Sequence, residues 1–153
     1  MELNPELFIL SHDELSRFGN TNLIYGSLTT KGLNTLVNTI VNFIEPFSVI
    51  GLDLGCGDGE LVFHLGQALQ NSLWYGIEIC ESRVEKQKRP VFIWQGDFLE
   101  EDLRPYNVLH ADNLCLEEDI AEKLETKIAH EFKGLYISYR EATTYGFLKK
   151  AKF

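Results

Sequence analysis

The segment with the clearest chemical character is DLGCGDGE at 53–60, where glycines alternate with other residues and acidic side chains stand on both sides of them. An apolar run, SVIGL, precedes it, and a helical pattern follows at once. A glycine turn between a strand and a helix commonly binds phosphate, because backbone N–H groups at the helix start face the ligand. The acidic residues argue against phosphate in this turn.

The charge of the turn therefore predicts a cationic ligand. A dinucleotide fingerprint reads GxGxxG, but its third glycine position holds Glu60, and no GxxxxGK[ST] phosphate loop occurs. With Asp53, Asp58 and Glu60 around the turn, each carboxylate near a pyrophosphate would cost on the order of 1 kcal/mol or more. S-adenosylmethionine fits better, because it carries a sulfonium, an ammonium and no phosphate.

Polar residues also follow three other apolar runs that read as strands. Open sheets of alternating strands and helices bind ligands at the carboxyl ends of their strands, although any one such residue could be an ordinary helix cap or turn. Glu78 can accept hydrogen bonds from both ribose hydroxyls. Asp97, after Gly96, can receive the adenine amino group, with Phe98 beside the ring. The last pair is Asp112-Asn113.

The elements that position these residues follow from the hydrophobic periodicity. Apolar residues from Leu33 to Ile44 recur at helical spacing, and Pro46 closes that helix. Short apolar runs then alternate with helical patterns, which predicts a parallel sheet with crossover helices. The predicted strands are SVIGLDL, SLWYGIEI, VFIWQ, NVLHAD and LYISYR, and the predicted helices between them are 60–70, 81–88 and 117–132.

Composition limits the class of protein. At 153 residues and 44% hydrophobic, the chain predicts a single domain. The formal charge of -9 disfavours nucleic acid and anionic membranes and favours a basic protein partner, although solubility alone also accounts for such a charge. The three cysteines (Cys56, Cys80 and Cys115) have no metal-type spacing, so we expect free thiols and no metal. With neither a signal-peptide pattern nor an apolar run of about 18 residues, the sequence predicts a soluble intracellular protein.

The motifs DLGCGDG, GIEI and QGDF resemble, in order and spacing, those of the class I, Rossmann-like S-adenosylmethionine-dependent methyltransferases. A narrower set resembles the non-SET histone-lysine methyltransferases of the disruptor-of-telomeric-silencing type. That set comprises IYGS upstream, DLGCGDGE, GIE followed later by GDFLEED, and ADNLCL. The fold implied is a three-layer α/β Rossmann-like methyltransferase sheet, mostly parallel, with a shortened C-terminal end.

This resemblance implies roles for particular residues. Tyr25 and Gly26 would lie in a loop that closes over the cofactor, and Asn113 would lie beside the transferring methyl group. The amide oxygen of Asn113 could accept from an incoming amine, in a channel whose aromatic candidates are Phe98, Tyr25, Tyr139 and Tyr145. This sequence departs from the family's motifs at two places. The family's YGE is replaced by Tyr25-Gly26-Ser27, and its NNF by Asp112-Asn113-Leu114. These differences bear on the identity of the substrate more than on cofactor binding.

Three functions stay open at this point. The first is methyl transfer to a protein lysine, also the activity of the compact mitochondrial and prokaryotic protein-lysine methyltransferases that share DLGCGDG. The second is a cofactor-binding module without transfer activity, favoured by the absent loop glutamate and the short C-terminal end. The third is a small-molecule methyltransferase.

The predicted organisation is one methyltransferase domain, in which residues 1–46 cover the cofactor and 47–153 form the core. The predicted catalytic residues are Asn113 and Tyr25. The predicted cofactor-binding residues are Tyr25, Gly26, Asp53, Gly55, Cys56, Gly57, Gly59, Glu60, Glu78, Ile79, Gly96, Asp97, Phe98 and Asn113.

Overall fold

A computed structural model describes residues 3–19 and 28–140. Its centre is a five-stranded sheet in the order β3-β2-β1-β4-β5, and every pairing in it is parallel. The strands are β1 (Ile50–Leu54), β2 (Leu73–Glu78), β3 (Phe92–Gln95), β4 (Val108–Ala111) and β5 (Leu135–Ser138). The helices are α1 (His12–Phe18), α2 (Thr30–Phe43), α3 (Glu60–Ala68), α4 (Glu81–Val84) and α5 (Glu118–Glu131).

Helix α2 is the one that the Leu33–Ile44 pattern predicts. The Thr29 side chain accepts the N–H of Gly32 at 3.0 Å and so caps its first turn. Leu36 and Ile40, one helical turn apart, are buried against the sheet. The prediction of a helix ending before Pro46 is confirmed.

Alternation along the strands divides the core into two layers of side chains. One layer packs α2 and α3 against the sheet face that carries Trp74, Val108 and Ile137. The other packs α5 against the opposite face, through residues such as Leu52 and Leu109. Successive strand residues point to opposite faces, so each strand contributes to both layers. The predicted three-layer α/β fold is confirmed.

The helix between β2 and β3 is shorter than the predicted helix 81–88. Helix α4 ends at Val84, and the chain then tightens, since the N–H groups of Lys86 and Gln87 donate three residues back. The Gln87 side chain donates to the carbonyl oxygens of Arg89 and Val91, both at 2.8 Å. A link this short must turn back early to enter β3.

The start of the chain contains two elements that the periodicity did not predict. A 3₁₀ turn, Pro5–Phe8, precedes α1. Ser11 and Glu14 form a capping box at the start of α1, each side chain accepting the other's backbone N–H. These elements are too short for a hydrophobic period to show. The prediction that residues 1–46 cover a cofactor stays a prediction.

Candidate cofactor and methyl-transfer site

The glycine turn after β1 has a backbone that explains its composition. Gly55, Gly57 and Gly59 have φ of 81°, 59° and 85°, all in the left-handed region that favours glycine. A Cβ on Gly59 would also lie 2.9 Å from a methyl carbon of Val91. The alternating glycines therefore reverse the chain between β1 and α3.

The backbone N–H groups of this turn are turned inward to the protein. Gly55 and Cys56 both donate to the carbonyl oxygen of Ile77, at 2.8 and 3.0 Å. Gly57 donates to Glu78 Oε1 at 2.9 Å, and Gly59 donates to the carbonyl oxygen of Cys56 at 3.0 Å. A phosphate cradle needs such donors to face the ligand, so this turn is not built as one.

Buried carboxylates surround the turn. Asp53, Asp58 and Glu78 are each 3% exposed. Burial raises the pKa of the Asp58 carboxyl, against the opposing hydrogen bond from the Glu60 N–H. Glu60 itself forms an ion pair with Arg89 at 3.3 Å, so its charge is partly neutralised. The acidity predicted for the turn is present, with Glu78 rather than Glu60 as its third buried member.

Glu78 joins three parts of the site. Its Oε2 accepts the Cys80 N–H at 3.0 Å, while its Oε1 holds the glycine turn. Burial raises the pKa of this carboxyl, and the buried Arg83, with a guanidinium nitrogen 3.9 Å away, opposes that rise. The glycine turn, the end of β2 and α4 are thus fixed around one acid.

The end of β3 lies beside the end of β2. The Gly96 N–H donates to the Glu78 carbonyl oxygen at 2.9 Å, and the Gln95 side chain donates to the Ile79 carbonyl oxygen at 3.1 Å. The Asp97 carboxylate accepts the Leu99 N–H at 2.9 Å and so shapes the turn that follows. Phe98 is half-buried against the α5 layer.

Asn113 is 1% exposed and bonded toward β5. Its Oδ1 accepts the N–H groups of Tyr139 at 3.0 Å and Arg140 at 3.2 Å. Its Nδ2 donates to the Tyr136 hydroxyl at 3.4 Å. Because a carbonyl oxygen has two lone pairs, both are engaged in joining the ends of β4 and β5. The predicted catalytic role of Asn113 stays a prediction, and the structure adds this anchoring contact.

The predicted site residues in the described part of the chain all lie at the carboxyl edge of the sheet, at the ends of β1, β2, β3 and β4 or in the segments that follow them. Tyr25 and Gly26 fall outside the described residues, as does Tyr145. Among residues 3–19 and 28–140, no helix is long and apolar enough to cross a membrane.

Comparison with known proteins places this arrangement among solved structures. No family model matches the chain, and no curated protein matches it. An RNA methyltransferase from Salinibacter ruber, solved with S-adenosyl-L-homocysteine, matches with a TM-score of 0.59 at 20% identity, over 71% of this chain and 72% of that one. The chain has the Rossmann-like methyltransferase fold.

Two further methyltransferase structures show the same fold. Magnesium protoporphyrin IX methyltransferase from Synechocystis PCC 6803, also solved with S-adenosyl-L-homocysteine, gives a TM-score of 0.56 at 16% identity, over 79% of this chain and 64% of that one. Geranyl diphosphate C-methyltransferase from Streptomyces coelicolor A3(2) gives 0.55 at 14%, over 71% and 45%. Both are longer than the part that this chain matches.

Within the methyltransferase fold, the structure brings together residues that the sequence did not connect. His110, in the middle of β4, lies between Asp53 and Tyr139. Arg83 donates from Nε to the carbonyl oxygen of Leu7 at 2.9 Å, so the start of the chain contacts the Glu78 region. The sequence signal for the His110 contacts was a polar residue inside each of two apolar strands, Asp53 in β1 and His110 in β4. Buried polar groups require hydrogen-bond partners, so each of these residues predicts a partner close to it.

The cysteines near this edge differ in exposure. Cys56 and Cys80 are buried, and Cys115 is half-buried. Burial, reinforced by Asp53 and Glu78, raises the pKa of the Cys56 thiol well above its usual range. Burial raises the pKa of Cys80 to about 12, with Glu78 adding to the effect. Both thiols therefore stay protonated and unreactive at neutral pH.

Proposed function

We propose that this protein is an S-adenosylmethionine-dependent methyltransferase. The observation that carries the proposal is the glycine turn, whose N–H groups donate within the protein while Asp53, Asp58 and Glu78 lie buried around it. A pyrophosphate would find no free donors at these glycines and would meet like charge. A cofactor with a sulfonium and an ammonium meets opposite charge at the same place.

The proposed roles follow the strand order. Glu78 receives the ribose hydroxyls through the lone pairs that its own contacts leave free, since each carboxylate oxygen can accept more than one hydrogen bond. Asp97 and Phe98 receive the adenine. The glycine turn lets the amino-acid part of the cofactor lie close to the backbone. When bound, this cofactor supplies an electrophilic methyl group.

We consider two kinds of methyl acceptor. The disruptor-of-telomeric-silencing resemblance favours a lysine amine of a basic protein, with Tyr25 in a covering loop and Asn113 beside the methyl group, and the formal charge of -9 agrees with a basic partner. The solved structures of the same fold are named for RNA, magnesium protoporphyrin IX and geranyl diphosphate. A small-molecule acceptor therefore fits this fold equally well.

One observation favours a cofactor-binding module without transfer as a second candidate. The Asn113 amide oxygen, which the amine mechanism would direct at the acceptor, is occupied by two backbone N–H groups. In this second candidate function, the protein binds S-adenosylmethionine without transferring the methyl group and acts as a structural or regulatory partner of another protein.

The test is incubation with tritium-methyl S-adenosylmethionine and separate pools of core histones, total protein, RNA and metabolites. The proposed function predicts label in at least one pool with the wild type and a strong loss with Glu78→Gln, which keeps the side-chain shape but removes the charge. Glu122→Gln, an exposed acid on α5, is the matched control and should label normally. Cofactor binding with no label in any pool would favour the module instead.

A further inference from the structure

A chain of three polar side chains runs across the sheet, and only its first member, Asp53, also belongs to the set that the cofactor proposal uses. His110 Nδ1 lies 2.8 Å from Asp53 Oδ1, and His110 Nε2 lies 2.9 Å from the Tyr139 hydroxyl. The rings of His110 and Tyr139 meet edge to face, with centroids 5.4 Å apart at 82°. We refer to Asp53, His110 and Tyr139 as the polar row.

Strand register explains why these three side chains meet. Asp53 of β1 pairs directly with His110 of β4, and His110 pairs with Ile137 of β5. Tyr139 lies two residues beyond Ile137, and a period of two returns a side chain to the same face. All three therefore share the α2–α3 face, at the carboxyl edge where the candidate site lies.

The interior end of the polar row is deeply buried. Asp53 and His110 are each 3% exposed, whereas Tyr139 is only half-buried at the edge of the sheet. An aspartate and a histidine inside apolar strands cost free energy unless both are hydrogen-bonded. The row meets that requirement and connects the interior to the edge.

The donors and acceptors of the row fix the direction in which a proton can move. An ionised Asp53 carboxylate only accepts, so a neutral His110 carries its hydrogen on Nδ1 and leaves Nε2 as an acceptor. The Tyr139 hydroxyl then donates to Nε2. The lone pairs of the Tyr139 oxygen are the open end of the row.

We propose that the polar row accepts the proton that the methyl acceptor must lose, so that Tyr139 is a catalytic residue and His110 and Asp53 are positioning residues. The inference rests on the proposed function and narrows the acceptor to one that arrives with its proton on oxygen or nitrogen. A hydroxyl or an amine meets that description.

The proton transfer balances within the named groups. The acceptor's X–H bond breaks, X keeps the electron pair for its new bond to the methyl carbon, and the proton bonds to the Tyr139 oxygen. The methyl carbon would leave the sulfur of the bound cofactor, and that sulfur would keep the pair of the broken C–S bond and become a neutral thioether. The Tyr139 O–H bond breaks in turn, and that proton bonds to His110 Nε2. His110 ends as an imidazolium beside the Asp53 carboxylate, and it returns the proton to solvent after the product leaves.

The surroundings of Tyr139 favour a phenol that passes a proton on to His110 over a phenolate that waits to accept one. Burial raises the pKa of the Tyr139 phenol, and the charges of Asp112 and Asp53 raise it further. A resting phenolate is therefore disfavoured, and the phenol can take a proton only while it gives one to His110. The Tyr139 N–H also donates to Asn113 Oδ1, and this hydrogen bond holds Tyr139, which follows β5, against the segment that follows β4.

The first test needs no acceptor. In protein labelled with ¹⁵N in its histidine rings, a His110→Gln variant identifies the His110 signals among those of four histidines. We expect hydrogen on Nδ1, which faces Asp53, and a shifted Nε2 signal in Tyr139→Phe. A ring protonated on Nε2, or an Nε2 signal unmoved in Tyr139→Phe, would overturn the relay.

The second test measures transfer. Tyr139→Phe removes only the hydroxyl, and single-turnover transfer to the pool that accepts label should fall by about 10²-fold, as for loss of a general base. Affinity for S-adenosyl-L-homocysteine, measured by calorimetry, should stay within about threefold. Tyr106→Phe is the matched control, because Tyr106 precedes β4 at the opposite edge, and it should transfer normally.

The outcomes separate the relay from the proposed function. Equal transfer by wild type and Tyr139→Phe would overturn the relay and leave the methyltransferase intact. Absence of label in every pool with the wild type would overturn both. A loss of S-adenosyl-L-homocysteine affinity equal to the loss of transfer would also overturn the relay, by placing Tyr139 in the cofactor site.

Discussion

At the scale of single residues, Asn113 shows how one side chain can be read in two ways. Its position after β4, in register with the other strand ends, predicts a place beside the acceptor. Its contacts show an anchor, since Oδ1 accepts two N–H groups from the end of β5. The two interpretations are compatible, because the hydrogen bond from the Tyr139 N–H to Asn113 positions Tyr139, the residue that we propose contacts the acceptor.

Substitution of Asn113 by Ala should therefore affect both stability and transfer. Leaving two N–H groups of the β5 end without their acceptor should lower the free energy of unfolding by about 1–3 kcal/mol. Asn113→Asp keeps an accepting oxygen and should lose less. Urea unfolding measures this, and single-turnover transfer on folded protein should fall while cofactor affinity stays within about threefold. Unchanged stability in Asn113→Ala would mean that the anchor contributes nothing.

At the scale of elements, the first helix is bonded to α4, which follows the carboxyl end of β2. Glu14 of α1 accepts the Ser82 hydroxyl at 2.8 Å and the Ser82 N–H at 3.3 Å, at the start of α4. Burial raises the pKa of Glu14, but the Ser82 and Ser11 hydrogen bonds outweigh it, and the net pKa is lowered. The charged form of Glu14 thus stabilises the docking of α1 on α4.

The lowered pKa gives this contact a predictable pH dependence. Glu14→Gln should be less stable than wild type by about 0.5–1.5 kcal/mol at neutral pH, since it loses charge-assisted hydrogen bonds. A carboxyl with a lowered folded-state pKa stabilises above its unfolded pKa, and that stability is lost as pH falls through the folded pKa. The gap should therefore close in acid. Thermal unfolding across pH measures it, with the exposed Asp13→Asn as control. A gap constant down to strong acid would contradict the argument.

The elements differ in how far the sequence predicts them. The glycine turn and the α2 and α5 helices depend on local spacing, and the structure has them where the pattern places them. The meeting of His110 with Tyr139 depends on the register of β4 and β5, and the docking of α1 depends on a contact 68 residues apart in sequence. Neither is encoded in a local pattern, so the sequence shows the residues but not the pairing.

At the scale of the whole molecule, the predicted functional residues that the structure describes lie along one edge of the sheet. The carboxyl ends of β3, β2, β1 and β4 carry the predicted cofactor residues, and the polar row extends that edge to β5. The alternating pattern predicts a parallel sheet with crossover helices, and the structure supplies the order of its strands. The acceptor does not follow from the order of strands, because one fold serves many substrates.

The most direct test of the account is a calorimetric titration of the wild-type protein with S-adenosyl-L-homocysteine and, separately, with NAD. The inward N–H groups and the buried carboxylates of the turn predict one binding site for the first and no binding of the second. Glu78→Gln should weaken S-adenosyl-L-homocysteine by about 1.5–3 kcal/mol, the range for hydrogen bonds to a charged group, while Glu122→Gln leaves it unchanged. Tight NAD binding, or no heat with S-adenosyl-L-homocysteine, would contradict the assignment of this site.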